Sequence, residues 1–243
     1  MPSLALHLGV ALEAAPALGW TEEELASYLL GSTLPDISLF LPLEREETHF
    51  VSLSSLPGEG EMEGGLLRAF GPVSGLERAL EAGYLCHLEM DLLWVREVFH
   101  PLFGPRSPLR EDPMARVKDR ALQYELDRRQ RDDRASMDRV HQLLARLLLV
   151  KAPPFLGGDS LEAWQGFVLQ ATASQRDWAR FSDFAQRYLV QRGRVGSGEL
   201  EDFLASLPAS VGALIDYVGE GNLQVFRERA VACSVEAVRV YLR

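Results

Sequence analysis

The chain has 243 residues, of which 47% are hydrophobic and 25% charged, as in an ordinary globular protein. Its formal net charge of -10 and isoelectric point near 5.1 give it no overall attraction for duplex nucleic acid or for an anionic membrane surface. Its two cysteines form neither a disulfide framework nor a cysteine-rich zinc pattern. Without a signal-peptide pattern or a run of ~20 apolar residues, no transmembrane segment is expected and the cytoplasm is the expected location.

The first predicted helix covers Ser3 to Ala15, with Ser3 as its N-cap and Pro16 as its stop. It carries His7 on a side lined by small residues, which would let another group approach the imidazole. A histidine on so apolar a helix is more often a hydrogen-bonded core residue than a metal ligand. The sequence alone leaves both roles open.

A second helix is predicted to begin at the capping box of Thr21 and Glu24 and to end at Gly31. A turn follows, in which Pro35 disfavours further helix and Asp36 stands among apolar residues. Asp36 is either a turn-forming or N-capping residue or a functional carboxylate.

The span 42–75 is rich in Gly, Glu, Ser and Pro, and we expect it to be mostly irregular, with a short helix near Leu66 to Phe70. His49 lies in this span and is predicted to be in a loop. Such a histidine is either simply exposed or part of a site that the loop lines.

Apolar residues recur at helical spacing from Leu76 to Phe99, which predicts a long helix terminated by Pro101, Gly104 and Pro105. His87 and Asp91 are four residues apart, so they project from one face and could chelate one metal ion. A hydrogen-bonded structural pair is the alternative. Gly83 precedes them by one turn and is expected to leave room for an approaching group.

The rest of the chain is predicted to be helical, and no segment alternates with the period of a strand. We expect an all-α, compact multi-helix bundle that forms a single domain, 1–243, with a metal-binding half, 1–104, and a helical half, 105–243, without a recognisable motif. Within the second half, the polar run from Arg128 to Arg139 is expected to project into solvent. The predicted helices of that half are Pro113–Val150, Ser160–Ser174, Arg176–Arg192, Gly198–Ser206 continuing around Val211–Val218, and Leu223–Leu242.

Three histidines and two aspartates in the first ninety-one residues could form one metal centre: His7, Asp36, His49, His87 and Asp91. Imidazole and carboxylate ligands suit zinc. Five such groups exceed what one zinc ion normally takes from protein, which favours two ions bridged by a carboxylate. Paired metals ~3.5–4 Å apart are typical machinery for phosphate-ester hydrolysis.

The order of these residues resembles the zinc-dependent phospholipase C superfamily, which includes zinc-dependent single-strand nucleases. The resemblance covers residues 1–100 and is closest to its short bacterial members. It consists of an early helical histidine, a Gly-x-x-x-Pro-Asp-Ile turn, a Thr-His-Phe and a Gly-Tyr-x-x-His-x-x-x-Asp-x-x-Trp helix.

The resemblance implies an all-α bundle in which Asp36, His49, His87 and Asp91 surround one zinc, and Asp91 bridges to a second ion held by His7. It also implies that Asp36 is a candidate base for the attacking water. The family's third zinc takes two further histidines and a carboxylate. This chain has only His100 and His141 left, both unassigned, so one or two zinc ions are expected.

Two functions follow from these expectations. The first is a zinc-dependent hydrolase that acts on a small phosphate ester or a lipid head group. The second is a non-catalytic helical module that holds metal or binds another protein. A histidine–aspartate phosphohydrolase needs an adjacent His-Asp pair, and none occurs in the chain.

Overall fold

The structure is a computed structural model that describes residues 3–50, 65, 69–71, 73–147, 151–157, 159–174, 177–186 and 197–243. Helices dominate these ranges and no β-strand occurs in them, so the predicted all-α multi-helix architecture is confirmed. No helix in the same ranges is long and apolar enough to cross a membrane. The predicted short helix near Leu66 lies largely outside the described residues, since 66–68 are not among them.

The helix boundaries agree with the predicted periodicity in most places. The α-helices in the described ranges are α1 Leu4–Ala14, α2 Glu22–Gly31, α3 Arg45–His49, α4 Gly75–Trp94, α5 Ala115–Asp132, α6 Arg134–Arg146, α7 Ser160–Ala173, α8 Trp178–Ala185, α9 Ser197–Ala205, α10 Ala209–Val218 and α11 Glu220–Tyr241. Three tighter or wider helical segments join them: 3₁₀ turns at Ala15–Ala17 and Leu34–Leu39, and a π-helical segment at Val95–Phe103.

Helix α1 lies at the centre of the molecule. Every residue from Leu4 to Ala11 is buried, because α1 contacts helices on all sides, including α4, α5 and α11. A helix that is apolar all round is expected in such an interior position. This placement explains why His7, near the middle of α1, is only 4% exposed.

The amino end of α1 is stabilised from α5 rather than by the predicted cap. The Ser3 side chain makes no capping hydrogen bond. Instead, Asp127 accepts a 2.8 Å hydrogen bond from the backbone N–H of Ala5 and pairs with Arg131 at 2.7 Å. Both side chains of this pair are buried. The expectation that the whole polar run from Arg128 to Arg139 projects into solvent is therefore wrong, because Arg131 is buried beside Asp127, the residue that accepts the hydrogen bond from the backbone of α1.

Helices α2 and α4 approach each other closely at two glycines. A Cβ atom built on Gly83 would lie 1.9 Å from the Tyr28 carbonyl oxygen, and one on Gly31 would lie 2.0 Å from the Leu80 carbonyl oxygen. Gly83 is predicted to leave room for an approaching group, and the group that approaches it is the backbone of α2. This close contact between α2 and α4 holds the 3₁₀ turn after α2 beside His87 and Asp91.

Two predicted helices are interrupted. The α-helical part of α4 ends at Trp94, and the wider turns of Val95–Phe103 continue past Pro101 and end before Gly104, the second of the three predicted terminators. The long charged helix of the second half is broken at Asp133, whose side chain accepts a hydrogen bond from Ser136 N and caps α6.

The apolar core consists of two clusters of buried side chains. One includes Leu4 and Val238, and the other includes Leu6 and Ala230. Each cluster thus combines residues from before and after position 104, so the helical second half packs against the half that carries the histidines.

Candidate metal centre

The five predicted ligand residues lie together in the structure. His7 Nε2 is 3.5 Å from Asp91 Oδ1. The Nε2 atoms of His49 and His87 are 3.6 Å and 3.8 Å from Asp91 Oδ2. Asp36 Oδ1 is 4.0 Å from His49 Nε2. Asp91 is therefore central, with one carboxylate oxygen facing His7 and the other facing the two remaining histidines.

Four elements supply these side chains. His7 comes from α1 and Asp36 from the 3₁₀ turn after α2, while His87 and Asp91 come from successive turns of α4. His49 is the last residue of α3, so the expectation of a loop is wrong at this position. Glu44 and Glu47 form a capping box there, which explains why the backbone turns into a helix.

The orientation of His87 leaves a nitrogen lone pair facing the cluster. His87 Nδ1 lies 2.9 Å from the Ser32 carbonyl oxygen, which can only accept, so Nδ1 carries the proton. Nε2 is then an acceptor, and it is buried without a hydrogen-bond partner in the described part of the chain. A backbone carbonyl that fixes the tautomer in this way is a common outer-shell partner of a metal-ligating histidine.

His49 is held in the same manner. Its Nδ1 atom lies 3.3 Å from the Arg45 carbonyl oxygen and 3.0 Å from Thr48 Oγ1. The Tyr84 hydroxyl donates a hydrogen bond to the Thr48 carbonyl oxygen, which ties α3 to α4. Nε2 of His49 therefore also presents its lone pair to the cluster.

Arg45 belongs to the cluster as well, although it is not among the five predicted ligand residues. Its guanidinium lies 2.6 Å from His49 Nε2 through Nη1 and 2.5 Å from Asp91 Oδ2 through Nη2. The signal in the sequence is its spacing of four residues from His49, which brings the two side chains together only if this stretch is helical.

Burial and charge set the protonation of these groups. Burial lowers the pKa of His49 to about 3, and Arg45 adds to the effect. Burial, followed by His7, holds the pKa of His87 well below its usual range. Burial raises the pKa of Asp91, but the Arg45 guanidinium and the facing histidines outweigh it and hold the pKa well below its usual range. His49 and His87 are therefore neutral and Asp91 ionised at pH 7, which are the forms that bind metal.

The buried histidines predict how the stability of the metal-free protein depends on pH. His49 and His87 stay neutral when folded but bind protons below pH ~6.5 when unfolded, so unfolding is favoured as the pH falls through this value. Asp36 acts in the opposite sense, because burial raises its pKa. The two histidines alone are expected to lower the free energy of unfolding by roughly 1 kcal/mol between pH 7 and pH 6, and Asp36 reduces this fall.

Urea denaturation in a chelator tests this expectation at the two pH values. His49→Asn is expected to reduce the difference, whereas His100→Asn, outside the cluster, should leave it unchanged. A stability that stays level or increases between pH 7 and pH 6 would contradict the description of the buried histidines.

The arrangement is close to what a tetrahedral zinc site requires. Zinc–ligand bonds of ~2.0–2.1 Å place tetrahedral ligand atoms ~3.3–3.5 Å apart. The separations from Asp91 Oδ2 to His49 and His87 exceed this by only a few tenths of an ångström. Two sets of three residues could each hold an ion, because the ligand atoms within each set lie within 4.8 Å of one another. The first set is His7, Asp36 and His87, and the second is His49, His87 and Asp91.

These two sets share one ligand atom, which limits the number of ions. Because Nδ1 of His87 is bonded to Ser32, only its Nε2 lone pair is available, and one lone pair binds one ion. The donor set therefore fits one ion held by His87. A second ion would have to use His7 and the Oδ1 side of Asp91.

The two remaining histidines do not join these ligand sets. His100 lies in the π-helical segment, with its ring centroid 5.6 Å from that of Phe99. His141 Nε2 is 2.9 Å from Thr172 Oγ1, which links α6 to α7. His141 thus has a structural partner in the next helix, outside the two ligand sets.

Comparisons of the chain with protein-family models, curated proteins and solved structures find no significant match. The functional interpretation depends on the residues and the geometry described above.

Proposed function

We propose that this protein is a metal-dependent hydrolase, with zinc as the metal, that acts on phosphate esters in the manner of a zinc-dependent phospholipase C. The observation that carries the proposal is the buried Nε2 atom of His87, which has no hydrogen-bond partner among the described residues and faces Asp91 beside further imidazole and carboxylate groups. A buried polar atom without a partner is costly, and a metal ion would remove that cost.

The protein's own residues can provide both metal binding and proton transfer. His49, His87 and Asp91 would hold the principal ion, with Asp36 as a fourth ligand or as the base that accepts a proton from water. When bound, Zn²⁺ supplies an activated water and neutralises charge on the ester. Burial raises the pKa of Asp36, which makes this carboxylate a better proton acceptor.

The charge of the centre favours an anionic substrate. Asp36 and Asp91 contribute two negative charges, so one Zn²⁺ together with Arg45 leaves a local excess of about one positive charge. The overall acidic chain provides no wider positive surface for a long polyanion. We therefore favour a small phosphate ester or a lipid head group over duplex nucleic acid, with the cytoplasm as the expected location.

Hydrolysis assays test the proposal directly. The zinc-loaded protein is expected to hydrolyse bis(p-nitrophenyl) phosphate or another member of a phosphodiester panel. Chelation should abolish the activity and added zinc should restore it. Asp36→Asn is expected to lower kcat by about a hundredfold, the effect of losing a general base, whereas His141→Ala should retain full activity. A zinc-loaded protein that cleaves no ester in the panel would contradict the proposal.

One observation favours a non-catalytic role instead. Arg45 provides His49 and Asp91 with hydrogen-bond and ion-pair partners without any metal. A helical module that holds the cluster together through Arg45, or around a structural ion, and binds another protein is therefore the second candidate. Zinc bound at full occupancy without hydrolysis would favour this role.

A further inference from the structure

We propose that Arg45 and the metal ion exclude each other at His49 and Asp91, and that the guanidinium released by the metal then binds the anionic group of the substrate. This inference depends on the proposed function, because it assigns a residue to substrate binding at the same centre. Neither the motif nor the ligand set of the resembled family includes this position.

The exclusion follows from the lone pairs of His49. Its Nδ1 atom is occupied by Arg45 O and Thr48 Oγ1, so Nε2 carries the single lone pair that can accept a donor or bind a metal. Arg45 Nη1 lies 2.6 Å from this atom. A metal ion can bind His49 only after the guanidinium has moved away.

Asp91 gives a second reason why Arg45 and a metal ion exclude each other. Arg45 Nη2 lies 2.5 Å from Oδ2, the oxygen that also faces the Nε2 atoms of His49 and His87. A cation placed among these three atoms would lie within a few ångströms of the guanidinium, and two positive charges at that distance repel each other. The protein therefore holds its own cation where the divalent ion would bind.

The released guanidinium would remain beside the centre. The Arg45 and Asp91 side chains are 32% and 31% exposed, whereas His7, His49 and His87 are almost fully buried. Solvent and substrate therefore reach the cluster from the side on which Arg45 lies. Guanidinium groups bind phosphate oxygens through paired N–H donors, which suits an anionic ester at this opening.

A zinc titration of Arg45→Met tests the exclusion. Methionine keeps much of the length of the side chain without its charge or donors. The variant is expected to bind Zn²⁺ about tenfold more tightly than wild type in a competition titration against a chelator, because no charge-assisted hydrogen bond has to be broken. Its zinc-loaded form is expected to bind inorganic phosphate about tenfold more weakly.

Arg110→Met is the matched control, since the Arg110 side chain is 59% exposed and pairs with its neighbour Glu111 at 3.5 Å, outside the cluster. It should behave as wild type in both titrations. The wild-type protein offers a measurement that needs no variant: the Arg45 Nε–Hε signal in a ¹H–¹⁵N spectrum should move as zinc is added.

The outcomes separate this inference from the proposed function. The inference would be overturned by equal zinc affinities in wild type and Arg45→Met, by unchanged phosphate binding, or by an Arg45 Nε–Hε signal that does not move when zinc is added. None of these results would contradict a metal-dependent hydrolase. Absence of zinc binding in both proteins would overturn the proposed function and, with it, the exclusion.

Discussion

Replacement of His87 by alanine is expected to lower the affinity for zinc by at least a hundredfold. His87 is the one histidine whose Nε2 atom is buried, fixed in its tautomer by Ser32 and without a partner in the described chain. It also belongs to both sets of ligand atoms. Loss of an outer-shell partner alone typically costs ~10–100-fold in metal affinity, so loss of a ligand should cost more.

Isothermal titration with Zn²⁺, together with the zinc content of the purified proteins, measures this effect. His141→Ala is the matched control, because His141 bonds to Thr172 outside the cluster and should leave zinc binding unchanged. If His87→Ala and wild type bound zinc equally well, the centre would have to lie elsewhere in the chain.

Replacement of Gly83 by alanine is expected to destabilise the protein by about 3 kcal/mol or more, at or above the upper end of typical overpacking effects. The added Cβ would lie 1.9 Å from the Tyr28 carbonyl oxygen and 2.9 Å from Ser32 N, both of which are backbone atoms. Backbone cannot rotate away as a flexible side chain can, so α2 and α4 must separate. The same movement would displace the Ser32 carbonyl from His87, so zinc affinity should fall as well.

Gly166→Ala in α7 provides the control for this substitution. Gly166 is exposed and a Cβ atom there would meet no described residue within 4 Å, so alanine should stabilise its helix by ~0.5–1 kcal/mol. Chemical denaturation of both variants in the absence of metal gives the comparison. A Gly83→Ala protein as stable as wild type would mean that the close approach of α2 and α4 is not required.

Much of the architecture could be predicted because apolar residues recur at helical spacing in long segments. The α4 face with His87 and Asp91 and the capping box before α2 are local signals of this kind. Their geometry depends on residues at most four apart, which the sequence displays directly. The proximity of His7 and Asp36 to that face is a long-range property that spacing alone could not supply.

The features that were missed depend on tertiary packing. Gly83 is expected to leave room for an approaching group, but only the position of α2 shows that this group is the backbone of a neighbouring helix. Arg131 lies in a run of charged residues, yet it is buried because Asp127 turns inward to the amino end of α1. Arg45 could be connected with His49 only once the stretch between them was known to be helical.

The most direct test of the metal centre is a crystal of the protein grown with zinc and measured on both sides of the zinc absorption edge. We expect an anomalous peak ~2.0–2.2 Å from the Nε2 atoms of His49 and His87 and from an Asp91 carboxylate oxygen, with Arg45 turned away from His49. A zinc peak at any other place, or a cluster that keeps Arg45 on His49 and no ion in saturating zinc, would contradict it.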